Sequence, residues 1–187
     1  MRATPIPDND RDRLRYLRDL RFDFTAPMAE LQKLADVASR IARTPIALVS
    51  LVDEEVQRFA ANVGLAGVEG TSRDVAFCAH AILDGAQLVV PDAKADPRFS
   101  DNPLVTGAPD IRAYAGSVLE PEDGMRLGTL CVIDTEPRDF PPDVLEQLDC
   151  LSDAATALIL AHRDRLALRE RLDHEEREQI ALRDRAN

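Results

Sequence analysis

Missing first of all is any long hydrophobic run. The longest clean one, Ile46 to Val52 with Ser50 inside it, falls far short of the roughly 20 apolar residues that span a bilayer, so no membrane segment is expected. The N-terminus, MRATPIPDND, lacks the continuous apolar stretch of a secretory signal, which predicts a cytoplasmic protein. Cysteine is scarce, and in that compartment Cys78, Cys131 and Cys150 are expected as reduced thiols. A chain of 187 residues hides roughly 70% of the surface that its unfolded form exposes, so neither a disulfide nor a structural metal is needed for stability. A basic face is missing too. The net charge is −11, and it is uneven: residues 1–22 carry +2, residues 162–187 balance seven Arg against seven acids, and the remaining −13 lies in residues 23–161. Such a middle repels polyanions, which excludes nucleic-acid binding through displaced phosphate counterions.

What is there is 45% hydrophobic and patterned. Residues 10–22 place Leu14, Leu17 and Leu20 among alternating charges and predict a short amphipathic helix. Thr25 is a candidate cap for a second helix, with Pro27 in its first turn and Leu31, Leu34, Val37, Ala38 and Ile41 as its apolar stripe. The period then changes: Ile46 to Val52 predicts a strand buried on both faces, and Val56 to Val63 its hairpin partner. Gly64, Gly67 and Gly70 predict a loop, followed by a helix capped at Thr71 or Ser72 and running to about Leu83. Leu88 to Val90 predicts a short strand. Ala93 to Asp110 holds three prolines and a glycine and cannot be one regular element; loops of that length in compact domains are usually lids or binding segments. Ala113 to Leu119 and Leu127 to Ile133 predict a second hairpin, and tight hairpins argue for an antiparallel sheet with helices packed on it. From Pro141 on no breaker follows Pro142, so one helix of roughly 40 residues is predicted, apolar in its first half and mostly charged in its second.

Four strings give the sequence a family likeness: PIALVSLVD (45–53), SRDVAFCAHAIL (72–83), VVPDAKADPRFSDNPLVTG (89–107) and LGTLCVID (127–134). In their order and spacing over residues 10–160 the chain resembles bacterial GAF domains of the sensor type. The resemblance implies an α+β, PAS-like fold, with an antiparallel sheet of five or six strands. The N- and C-terminal helices flank one side, and on the other, loops enclose a ligand pocket. It further implies a regulatory sensor joined by a helix to a histidine kinase, a diguanylate cyclase or another output. Residues 1–9 are expected to be disordered, 10–160 to form the sensory domain and 161–187 a coiled-coil-like signalling helix. With no output domain in the sequence, a free-standing module or a fragment is expected.

Cys78 and His80 invite a catalytic or metal-binding reading, but residues two apart on a helix point about 200° away from one another. The ordinary reading of Cys78 is a buried, unreactive thiol. His162 and His174 lie on the exit helix, and no zinc spacing emerges. Within the family, bilin-binding relatives usually follow the attachment Cys directly with His, whereas Ala79 intervenes here. The Asn-Lys step of cyclic-nucleotide binders is missing. No cofactor is assigned. The pocket candidates are Phe77, His80, Asp92, Arg98, Phe99, Tyr114, Ser117, Thr129 and Cys131, with Arg98 either clamping an anion or bracing the long loop against Asp92 or Asp96. The apolar stripes of the terminal helices exceed what one sheet face covers, which predicts a parallel homodimer through Leu14, Leu17, Leu148, Leu151, Ala155, Leu158, Leu168 and Leu172, and a seam thinning toward Leu182. The expected function is a non-enzymatic sensory module that relays a signal through its helix to a fused output or partner. The rival is a thiol-dependent enzyme of the free methionine sulfoxide reductase type, which needs a reactive thiol in an exposed, electropositive setting.

Overall fold

The computed structural model describes residues 4–26, 28–83, 85–122 and 124–186, with side chains as far as residue 181. Six strands form one antiparallel sheet: β1 (Ile46–Val52), β2 (Val56–Val63), β3 (Gly70–Ser72), β4 (Gln87–Val90), β5 (Ala113–Leu119) and β6 (Gly128–Asp134), in the order β3-β2-β1-β6-β5-β4. With α1 (Asp10–Asp19), α2 (Ala29–Ala42), α3 (Phe77–Ala81), α4 (Pro103–Thr106) and α5 (Pro142–Ala186), the fold is α+β. No described helix is long and apolar enough to cross a membrane.

The central strands β1, β5 and β6 are buried along their whole length, as a continuous apolar run implies. Their alternate residues build two cores. Ala47, Val49, Leu51, Leu130 and Val132 meet α2 and the first half of α5, through Leu31, Ala35, Ala38, Leu148, Ala155 and Ile159. Leu48, Val52, Tyr114, Cys131 and Ile133 meet α3, α4 and the long loop. A bulge interrupts the β1–β2 ladder: Val49 faces Ala61 and Ser50 faces Phe59, leaving Ala60 extra. That single residue lets Ala61 pack with α2 while Phe59 and Gln57 turn to the other face.

Several boundaries depart from the sequence reading. The segment expected as one helix over 72–83 divides into a 3-10 turn, Arg73–Val75, and α3. Ser72 does cap the turn, accepting from the Asp74 N–H at 3.3 Å. The stretch read as a glycine loop ends in β3, which pairs with β2. Thr25 does not cap α2, which begins after Met28; its N–H and hydroxyl donate to Asp23 at 2.8 and 2.6 Å. Pro27 and the Leu182 side chain lie outside the described residues. Within residues 1–9, expected to be disordered, Thr4 is buried and its hydroxyl donates to the Asp74 carbonyl at 3.1 Å.

Helix α5 is 45 residues long, about 68 Å at 1.5 Å per residue. Its first half covers the sheet, and beyond Arg165 its described side chains are nearly all exposed. Two contacts tie the exit to α1 and the turn after it: Arg163 donates to the Tyr16 hydroxyl at 3.3 Å, and Arg21 pairs with Glu170.

Candidate functional site

Between the sheet and α3–α4 lies a cavity of about 390 Å³. Leu48 and Ile133 line it from the sheet, Leu65 and Ile111 from the loops, Leu104 from α4, and Phe77, Cys78 and Tyr114 from its inner end. Gln57 of β2 and Thr71 of β3 also line it, and they face each other across the ladder. The Gln57 carboxamide oxygen and the Thr71 hydroxyl are buried with no hydrogen-bond partner among the described residues. Buried polar groups are nearly always satisfied, so two orphans side by side at a cavity are a chemical signal.

Behind the inner end sits a sulfur and hydroxyl cluster. Thr129 donates to the Cys78 sulfur at 3.0 Å, the Tyr114 hydroxyl donates to it at 3.4 Å, and the Cys131 sulfur lies 3.9 Å away. Ser50 stands 3.4 Å from Thr129. All of these residues are buried. Gly116 makes the cluster sterically feasible, because a Cβ there would fall 2.2 Å from the Tyr114 hydroxyl. Burial alone would raise the Cys78 thiol. Hydrogen bonds from Cys131, Ser50, Thr129 and Tyr114 outweigh it and bring the pKa from the ordinary 9.0 down to about 6. Cys131 moves the opposite way, upward, because its hydrogen bond to Cys78 and its own burial both favour the protonated thiol. Cys78 is therefore buried, as the sequence suggested, yet it is the sulfur poised to ionise.

The sequence-derived pocket residues distribute over four zones. Phe77 and Tyr114 line the cavity, with Thr129 and Cys131 directly behind Cys78. Phe99 is buried and stacked on Phe77, centroids 4.0 Å apart, and His80 meets the Phe99 ring edge-on at 4.8 Å. Burial, then the Arg98 charge, holds His80 below its ordinary pKa. Asp92 and Arg98 do not reach the cavity. Arg112 donates to Asp92 at 3.0 and 3.1 Å, and Arg98 forks onto Asp96 at 2.6 and 3.0 Å, which is the bracing geometry. Ser117 is on the opposite face of the sheet, where Gln87 donates to it at 3.0 Å and to the α5 residues Leu145 and Asp149.

Sequence reasoning missed Gln57, Thr71 and an ionic clamp. Arg13, fully buried, donates to Asp10 at 2.7 Å and to the Val52 carbonyl at 2.5 Å, while Arg73 grips the same carboxylate at 3.0 and 3.1 Å. Burial alone would raise Asp10, but the hydrogen bonds from Arg73 and Arg13 prevail and hold it below the usual carboxylate range. The clamp joins α1 to β1 and to the turn that precedes α3. In the sequence Asp10 and Arg13 belong to a run of alternating charge, which ordinarily marks a solvated face, and Arg73 stands 60 residues further on.

The residues expected at a dimer interface divide as well. Leu14, Leu148 and Ala155 are buried in the chain's own cores, Leu17, Leu151 and Leu158 are half-buried against them, and Leu168 and Leu172 are exposed.

With this geometry in view, comparison with known proteins is informative. A Pseudomonas aeruginosa protein named a cyclic di-GMP phosphodiesterase is 41% identical over 138 residues, which cover 74% of this chain and 23% of that protein. This likeness overturns the expectation of a non-enzymatic protein, because a relative 41% identical bears an enzyme's name; the chain spans about a quarter of that relative's length. Among solved structures, the blue-light-absorbing form of the PixJ GAF domain of Thermosynechococcus elongatus superposes with a TM-score of 0.59 at 16% identity, covering 87% of this chain and 95% of that one. A type II free methionine-R-sulfoxide reductase of Thermoplasma acidophilum superposes with a TM-score of 0.58 at 13% identity, covering 70% and 90%. At such identities these two speak for the fold alone. The sequence pattern of the GAF domain matches residues 27–159, from α2 to the middle of α5. The sheet, α2 to α4, the start of α5 and the cavity fall inside that match, and this chain belongs to the GAF domain family.

Proposed function

We propose that this chain is the signal-receiving module of a cytoplasmic, cyclic di-GMP-hydrolysing protein. The cavity is its sensing site, and the state of the cavity passes along α5 to the hydrolytic output, whether fused to it or a separate partner. The observation that carries this reading is the 41% identity over 138 residues to a protein named for that hydrolysis, in a chain whose GAF match runs over residues 27–159. The form of α5 supports it. Leu168 and Leu172 are 49% and 55% exposed on a helix with few other apolar contacts, which suits a parallel pairing of two chains along the exit helix. A marginal seam can shift register or splay with a small input, whereas a strongly packed coil resists both. The test is a graft of this chain in place of the matching segment of the Pseudomonas relative. Cyclic di-GMP hydrolysis should survive the graft and change several-fold when four residues are inserted after Arg171, because the insertion rotates whatever follows. Hydrolysis indifferent to graft, insertion and deletion of the module would overturn the reading.

A second reading, thiol-dependent reduction of a small oxidised substrate such as free methionine sulfoxide, is favoured by one observation: Cys78 faces the cavity, and Cys131 lies 3.9 Å from it. Reductant consumption with free methionine sulfoxide, abolished by Cys78→Ala, would establish it. No turnover above background would remove it.

A further inference from the structure

We propose that the cavity takes a small, uncharged, largely apolar molecule that places one N–H or O–H group against Gln57 and Thr71, and that it does not take the cyclic dinucleotide. This rests on the reading of the cavity as the sensing site. Three observations carry it.

The first is charge. No Asp, Glu, Lys, Arg or His is among the described residues that line the cavity, and Cys78, the lining thiol whose ionised form its hydrogen bonds favour, would add only negative charge. Arg98 and Arg112, the cations on the long loop and just before β5, are engaged by Asp96 and Asp92 outside it. Arg73, preceding α3, is engaged by Asp10. An ionised phosphate brought among Leu48, Leu65, Leu104, Ile111 and Ile133 would lose its hydration with no cation in exchange, a penalty that excludes anionic occupants. The second is size. About 390 Å³ sits at the lower end of the range for small-molecule sites, roughly 300–1,000 Å³. The third is polarity at one place only. The Gln57 carbonyl oxygen and the Thr71 hydroxyl are the lining atoms left without partners, and Gln57 is 4% exposed. A donor on the ligand would satisfy that oxygen, and Thr71, which can give or accept, would take the same group's lone pair. The hydroxyls of Tyr114 and Thr129 are directed to Cys78, so the opposite end of the ligand meets a sulfur and a ring face instead of free donors.

The probe is N-phenyl-1-naphthylamine, neutral and carrying one N–H, titrated by fluorescence into the whole chain. It should bind saturably with one site per chain. Ala66→Trp, on the exposed loop at the cavity mouth, should abolish that binding without touching the sheet. The anionic 8-anilinonaphthalene-1-sulfonate should bind that site at least tenfold more weakly, and cyclic di-GMP should not displace the neutral probe. For the polar end, 1-phenylnaphthalene, which lacks the N–H, is compared with the amine in the parent and in Gln57→Leu. The affinity ratio should move at least threefold toward the hydrocarbon in the variant, as expected when the ligand's N–H loses its acceptor. Probe binding that persists in Ala66→Trp, equal or better binding of the sulfonate, displacement by cyclic di-GMP, an unmoved ratio, or no binding at all would each overturn the proposal. Failure here leaves hydrolysis by the grafted protein still dependent on the module, whereas failure of the functional reading removes that dependence, so the two are told apart.

Discussion

The two faces of one sheet are packed to different ends. Under α2 and α5, Ala47, Val49, Leu51, Leu130 and Val132 meet aliphatic side chains, and Ser152, a polar group drawn in there, donates to the Val118 carbonyl at 2.7 Å. Under α3 and α4, residues from the same strands enclose a cavity, line it with a thiol, a phenol and an amide, and leave two polar atoms without partners. The first face holds the domain together. The second keeps unfilled space and unsatisfied polarity, which lower stability and which a ligand can relieve. Stability and response are thus separated by side-chain parity along the strands.

Breaking the packed face should have the largest effect. Leu148→Ala removes a fully buried side chain and should cost about 3 kcal/mol in urea unfolding; a loss under about 1 kcal/mol would mean that this face is no tighter than the other. Next comes Gly116→Ala, which drives a methyl into the Tyr114 hydroxyl and should cost about 2 kcal/mol by overpacking. The same change should raise the Cys78 pKa, read from thiolate absorbance. Because that pKa falls on folding, from 9.0 to about 6, ionised Cys78 stabilises the fold above pH 9, and the contribution drains away as pH falls through about 6. Thr129→Val should flatten that dependence; an unchanged pH profile would show that the thiol does not ionise. Leu65→Ala, on the rim of the cavity, should cost less than about 1 kcal/mol, since the leucine already borders open space. Smallest is a chain ending at residue 164. It loses exposed pairs such as Arg21–Glu170 and His174–Glu178, each worth under about 1 kcal/mol, so circular dichroism should show an intact core while sedimentation shows weaker self-association. Collapse of the core would place the exit helix in the body of the domain.

Much of this comparison was legible before any coordinates. A continuous apolar run marked β1 as buried on both faces, and two tight hairpins, over 46–63 and 113–133, marked the sheet as antiparallel. One misplacement was avoidable: Tyr114 and Ser117, three apart on a single strand, fall on opposite faces, while Thr129 and Cys131, two apart, share one. Other features left no local signal. The bulge at Ala60 that turns Gln57 and Phe59 to the cavity depends on how β2 fits two layers at once. β3 is three residues long, too short for a period. The Asp10–Arg13–Arg73 clamp spans 63 residues of sequence, and each member alone resembles a solvated charge.

By itself, then, the sequence determined the elements, their pairing sense, the family and the long exit helix, because those follow from apolar periodicity and from turn and breaker residues, all local properties. Tertiary structure alone decided which polar groups are unpaired, which thiol is held at the lower pKa and where space remains. A pKa or an orphaned carbonyl is a sum over neighbours: Cys78 draws its donors from β1, β5 and β6, and Gln57 remains unsatisfied because the residues that fold around it offer a hydrocarbon wall where a partner would stand.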